Sequence, residues 1–282
     1  MKHLKVFVAV TISLGFIILS CQRVPLTNRK QFVGLVSSGE MMKMSFAQYD
    51  GFMDTSKVVS TSNSKYGKDA QMVARVGGRI KKAVEDYLIQ NNYSEVIDGY
   101  KWEFKTVQSN ELNAWCMPGG KVCFYTGIIP VCKDEAGIAV VMGHEIAHAI
   151  AEHGRERMSH ALAAQGVTQV GAVAAGVATN NQQIMNLAGQ ILGVGTQVGG
   201  VLPNSRKQEA EADKMGLIFM AMAGYNPNAG VEFWQRMADA SKNAQKPPQI
   251  LSTHPTDEFR IEQMQKLMPQ AMKYYNAYGG QN

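Results

Sequence analysis

The sequence predicts an α+β fold, predominantly helical, with one active-site helix and a small edge-strand sheet. Three observations carry that expectation. Met72, Val73, Val76, Ile80, Val84, Tyr87 and Leu88 recur at helical spacing. Between residues 102 and 127 the pattern changes to short extended segments around Pro118-Gly119-Gly120. Finally, His144 and His148 stand four apart beside the apolar run Ile138 to Met142, which places both on one helical face, roughly 40° apart.

Taken in order, Met1 to Ser20 reads as an export signal. Lys2, His3 and Lys5 precede an apolar run, Val6 to Leu19, too short for a normal membrane span. The run ends in Ile18-Leu19-Ser20-Cys21, which resembles a bacterial lipobox. Cys21 is then the acylated first residue of the mature chain and its membrane anchor; a plain secretory signal and an uncleaved anchor are the alternatives. Gln22 rather than Asp follows, which by resemblance to enterobacterial lipoproteins favours the outer membrane. Residues 21–65 are polar with Met41, Met42, Met44, Phe46 and Phe52 interspersed, and read as a tether followed by a packing segment. The 282-residue chain minus its signal suits one domain, 66–282.

Composition excludes little but points away from nucleic acid. The formal charge of +5 falls by two if Lys2 and Lys5 are removed, and no Arg-rich helix or basic-aromatic interleaving is present. Beyond Cys21 stand Cys116, Cys123 and Cys132, an odd number for an oxidising compartment. A two-residue turn would set Cys116 opposite Lys121, so no Cys116–Cys123 bridge is predicted. None of the three has Cys-type zinc spacing.

Asp69 to Asn91 is the first predicted long helix, weakened locally at Gly77-Gly78. Trp102 to Val107 alternates with period two, a strand. Two further extended segments flank Pro118-Gly119-Gly120 just upstream of the histidines. An exposed strand edge there can hold an extended peptide through backbone hydrogen bonds, with Asn113 and Ala114 on that edge; an ordinary hairpin is the alternative.

Asp134 to about Met158 is predicted as the active helix, with Asp134 and Glu135 at its electropositive start. His144-Glu145-Ile146-Ala147-His148 is an H-E-x-x-H pattern: two zinc ligands and a general base, Glu145, on one turn. Two core-facing histidines on an amphipathic helix are the competing reading. His153 fails the spacing of the longer H-E-x-x-H-x-x-G-x-x-H pattern, because Ala151 and Gly154 occupy the positions of its Gly and His. It is expected to be structural or at the surface. From Met158 to Ser205 there is no Asp, Glu, Lys or Arg; closely packed helices broken at Asn180-Asn181, one part forming a lid, are favoured over a membrane hairpin. Glu209 and Asp213 are i and i+4 and share a face, whereas Glu211 falls off it. Glu209 can be the third zinc ligand, and Asp213 can accept a hydrogen bond from a ligating histidine.

HEIAH at 144–148, EAEADKMG at 209–216 and STHPTDEFRI at 252–261 together resemble the M48 family of zinc metallopeptidases, in the Glu-zincin class. LNAWCMPGGKVCFYTG at 112–127 resembles that family's edge-strand segment, and CQRVPLTNRKQ at 21–31 resembles its bacterial lipoprotein members. The similarity runs from about residue 65 to 270. It implies a zincin-like domain without a tetratricopeptide tail, holding one Zn2+ on His144, His148 and Glu209, with Glu145 as base. Asp213 supports a ligand, and Asn113 and Ala114 bind substrate. The resemblance also raises His254, which stands before Pro255, as an oxyanion donor or a fourth zinc ligand. Arg260 would orient His254 or a nearby carboxylate. The implied activity is internal cleavage of misfolded or damaged envelope proteins. The alternatives are a lipid-anchored chaperone or scaffold with a structural zinc, and an integral membrane protease.

Overall fold

A computed structural model of the chain describes residues 21–166, 173, 175–176, 181–192, 203–242, 249–254 and 258–278. The fold is α+β and predominantly helical, as the periodicities predict. A short antiparallel pair, β1 (Cys21–Arg23) and β2 (Lys30–Phe32), opens it. Helix α1 (Ser38–Thr55) follows, its start closed by a capping box in which Ser37 and Glu40 bond each other's backbone amides. Helix α2 (Gly67–Gln90) buries the predicted stripe Val73, Val76, Ile80, Val84 and Leu88.

Three strands form the second sheet: β3 (Glu103–Val107), β4 (Ala114–Met117) and β5 (Lys121–Tyr125). Their order is β3-β5-β4, so β5 is central and β4 lies at an edge. β3 runs parallel to β5 and β4 antiparallel. Met117 pairs with Lys121, one residue off the two-residue-turn register, because all three of Pro118-Gly119-Gly120 form the connection. Cys116 therefore faces Val122, and Cys116, Cys123 and Cys132 are all free thiols.

After the single turn α3 (Ile129–Cys132), Asp134 caps α4 (Glu135–Ile150) by accepting from the Gly137 amide at 2.9 Å. This helix carries His144, Glu145 and His148, and it is buried on every side from Gly137 to Ile150. The expectation of one helix to about Met158 is corrected. Glu152 takes a left-handed conformation, φ 51°, and the chain restarts as α5 (His153–Ala164). Arg155 and Arg157 thus belong to α5. Helix α6 (Gln182–Leu192) begins just beyond Asn180-Asn181; residues 167–172, 174, 177–180 and 193–202 of the expected lid segment lie outside the described residues, as does the export signal.

Ser205 and Gln208 form the capping box of α7 (Arg206–Met222), which crosses α4. At the crossing Gly143 meets Gly216. A Cβ on Gly143 would lie 2.7 Å from the Gly216 carbonyl oxygen, and one on Gly216 would lie 2.7 Å from the His144 amide nitrogen. Only two glycines permit this approach, and it brings the face carrying Glu209 and Asp213 against the histidines. Helices α8 (Ala229–Lys242), α9 (Gln249–Thr253) and α10 (Glu258–Tyr278) complete the packing around α4 and α7. Among the described residues no helix is long and apolar enough to cross a membrane.

Candidate metal centre

Helices α4 and α7 converge on one point. His144 Nε2 lies 3.1 Å from His148 Nε2 and 3.4 Å from Glu209 Oε2, and His148 Nε2 lies 3.3 Å from Glu209 Oε1. Zinc bonds of about 2.0–2.1 Å at tetrahedral angles put ligand atoms roughly 3.4 Å apart, so the three spacings fit one ion. All three side chains are buried.

The outer hydrogen bonds decide which ring nitrogens face inward. His144 Nδ1 lies 3.0 Å from Asp213 Oδ1, and a carboxylate only accepts, so the Nδ1–H donates to it. Its Nε2 is left facing the centre. His148 Nδ1 is likewise engaged on its outer side, 2.7 Å from His153 Nδ1. Two inward lone pairs 3.1 Å apart call for a cation between them. Burial opposes the charged imidazole of His144, but bonds to Asp213 and Glu209 overcome it and push its pKa up to about 9. Burial, with His144 and His153, holds His148 well below its ordinary range against the pull of Glu209.

Glu209 is kept far below the carboxylate range because His254 and His148 outweigh the effect of burial. Arg260 straddles both α7 carboxylates. Its Nε and one terminal amine donate to Asp213 at 2.6 and 2.7 Å, and the other amine lies 3.1 Å from Glu209 Oε2. Its guanidinium sits 4.0 Å from the Trp234 ring. The expected orienting role of Arg260 toward a nearby carboxylate thus has a bidentate geometry behind it.

Glu145 is different. Its Oε1 is buried without a hydrogen-bond partner, and burial raises its pKa despite His254 and His144. The basic group beside that oxygen is His254, with Nε2 3.6 Å away. The other His254 nitrogen, Nδ1, lies 3.0 Å from Glu209 Oε1 and 3.2 Å from His144 Nε2. His144, His148, Glu209 and His254 therefore offer four ligand atoms within 4.8 Å of one another. An unpartnered carboxylate oxygen beside imidazoles and a carboxylate is the donor set of a divalent metal with an adjacent proton acceptor.

A cleft opens over Glu145 and His148, bounded by Asn113, Ala114, Cys116 and Met42. Its wall is the edge strand β4, whose outer side has no strand partner among the described residues. Ala114 begins β4, Asn113 directly precedes it, and both line the cleft together with Glu145.

Of the two places expected for His153, structural or at the surface, it takes the structural one: it is fully buried, and its ring bridges His148 to Glu211 Oε2 at 3.0 Å. Burial, with Arg157 and Arg29, lowers its pKa against the pull of Glu211. Glu211 also accepts from Arg29 Nε at 2.6 Å and from the Thr27 hydroxyl, while Arg29 pairs with Glu156 at 2.7 Å. Thr27 and Arg29 lie in the 21–31 pattern and Glu211 in EAEADKMG, but neither pattern gives them a role; the left-handed turn at Glu152 and the docking of the β1–β2 hairpin bring them to His153.

A buried helix with two histidines and a glutamate, completed by a glutamate from a crossing helix, defines a metallopeptidase-type site. Residues 76–268 match the profile of Peptidase family M48, and the chain belongs to that family. Among its relatives is the mitochondrial metalloendopeptidase OMA1 of Schizosaccharomyces pombe, 36% identical over 171 residues, covering 61% of this chain and 48% of the relative. The Saccharomyces cerevisiae enzyme of the same name is 33% identical over 212 residues, covering 70% and 54%. The β-barrel assembly-enhancing protease of Yersinia pestis is 29% identical over 163 residues, covering 57% and 33%. The chain thus spans about half of the OMA1 relatives and a third of the Yersinia protein.

Proposed function

We propose that the protein is a zinc-dependent endopeptidase. The observation that carries this is the pairing of three metal-spaced ligand atoms with an unpartnered Glu145 oxygen under an open strand edge. His144, His148 and Glu209 would hold the ion. When bound, zinc polarises the scissile carbonyl and lowers the pKa of water. The chain's own residues do the rest. The β4 edge at Asn113 and Ala114 pairs with an extended substrate backbone. Glu145 Oε1 takes the proton of the attacking water and returns it to the leaving nitrogen. His254 Nε2, beside Glu145, donates to the oxygen that gains charge. Glu145→Gln should keep stoichiometric zinc yet lose roughly 10²–10⁴-fold in cleavage of an unfolded protein. Unchanged cleavage would remove Glu145 as base.

The proposal extends to place and substrate. Cys21 after the apolar leader supports a lipid anchor in a cell envelope, on the outer membrane facing the periplasm. The Yersinia relative is named as a protease that enhances β-barrel assembly; the substrates proposed for this chain are misfolded or damaged envelope polypeptides.

One observation favours a second reading. His254 Nδ1 stands among the ligand atoms, and four protein ligands close a zinc site as structural sites are closed. In that reading the protein is a lipid-anchored chaperone or scaffold with a latent or structural zinc. X-ray absorption of the zinc-loaded protein separates the two. A third histidine nitrogen at the ion, with no cleavage of unfolded protein, supports the closed site; oxygen from water in its place supports the peptidase.

A further inference from the structure

We infer that His153 and Glu211 are positioning residues for His148: they hold its Nδ1 as a donor and so turn its Nε2 lone pair toward His144 and Glu209. The inference rests on the metal site proposed above. It starts from a short contact between two ring nitrogens, His148 Nδ1 and His153 Nδ1, 2.7 Å apart. One of them must donate and the other accept.

The direction is decided at the two ends. Glu211 is pinned by the Arg29 Nε–H and the Thr27 hydroxyl and only accepts. His153 Nε2, 3.0 Å from Glu211 Oε2, must then carry the hydrogen. His148 Nε2 faces His144 Nε2 at 3.1 Å and Glu209 Oε1 at 3.3 Å, where the proposed ion needs its lone pair; its hydrogen is then on Nδ1 and is donated to the Nδ1 lone pair of His153. The opposite arrangement would put hydrogen on His148 Nε2 and close it to a metal. Asp213 does the corresponding work for His144 directly, at 3.0 Å. For His148 the same work takes a relay through a second imidazole.

Its geometry is not that of an ordinary satisfied core histidine. Glu152 leaves the helical region, φ 51°, between the two histidines, and this turn folds His153 back beneath His148. The relay ends on the β1–β2 hairpin, since Thr27 and Arg29 lie between its strands. Docking of that hairpin, which begins at Cys21, therefore tightens a metal ligand on α4.

Two measurements test this. Histidine nitrogen-15 spectra of the folded metal-free protein should show His148 and His153 as opposite tautomers, Nδ1–H and Nε2–H respectively. His148 with hydrogen on Nε2 overturns the inference. The second is zinc affinity by chelator competition. His153→Gln keeps a donor near the Nε2 position but offers His148 no acceptor, and should weaken zinc by about 10–100-fold. His153→Asn places an acceptor oxygen near the Nδ1 position and should restore most of that loss. Equal affinity of His153→Gln and the parent chain overturns the inference. If His153→Gln does not fold, Arg29→Gln reports from outside the site: a several-fold weaker zinc affinity at unchanged helical circular dichroism supports the relay, and an unchanged affinity overturns it. A parent chain that binds no zinc defeats the metal-site reading instead, and the tautomers still decide the relay.

Discussion

Charge at the centre is arranged residue by residue so that Glu209 and Asp213 are held below the ordinary carboxylate range although buried, whereas Glu145 is raised. Asp213 lies below the ordinary carboxylate range because Arg260, bonded to both its oxygens, outweighs burial. Glu156 repeats the pattern at a distance from the ligands. Arg29 and Gln208 bond it and hold it below the ordinary range against burial. Its pKa is lower folded than unfolded, so its contribution to stability is complete above about pH 4.3, the unfolded value, and is lost as pH falls through the depressed one. Urea unfolding of Glu156→Gln should therefore show lower stability than the parent at neutral pH, with the two curves converging in acid. Parallel curves would mean that Glu156 is not shifted.

Among the elements, the crossing of α4 and α7 is the contact on which the site depends. Its closeness comes from Gly143 and Gly216, where an added Cβ meets backbone rather than a side chain that can swing away. Gly143→Ala should cost about 1–3 kcal/mol of stability in the metal-free protein by overpacking, measured by denaturant unfolding. It should also weaken zinc, because spreading the helices moves Glu209 away from the histidines. The edge strand β4 makes a separate prediction. A substrate held by its backbone loses affinity when its amides are methylated, because methylation removes donors. Peptides N-methylated at alternate residues should be cut or bound roughly tenfold less well than the parent peptide when the methylated amides are those facing β4. Insensitivity at every position would place recognition in the cleft's side chains instead.

For the whole molecule, the proposed anchor sets where the cleft works. Replacing Cys21→Ala should move the protein from the detergent-requiring membrane fraction to the soluble fraction, read by cell fractionation, with cleavage of an unfolded protein retained in solution. Retention in the membrane would remove Cys21 as the anchor. Much of the rest of the organisation is legible in the amino-acid sequence. His144, Glu145 and His148 are readable because one helical turn holds all three, and Glu209 and Asp213 because i and i+4 share a face. The extended segments around Pro118-Gly119-Gly120 are equally plain. The break at Glu152 is not, since nothing in Ala151-Glu152-His153 marks a left-handed residue as Gly or Asn would. The role of the β1–β2 hairpin is also hidden. Arg29 meets Glu156 and Glu211 across 127 and 182 residues of chain. Local periodicity records which residues share a face, and from that the sequence by itself determined the candidate ligand set, the candidate base and the fold class. Which distant element covers a face depends on packing, and so only the tertiary structure decided that His254 Nδ1 lies 3.0 Å from Glu209 and that His153, beneath His148, is tied to the β1–β2 hairpin.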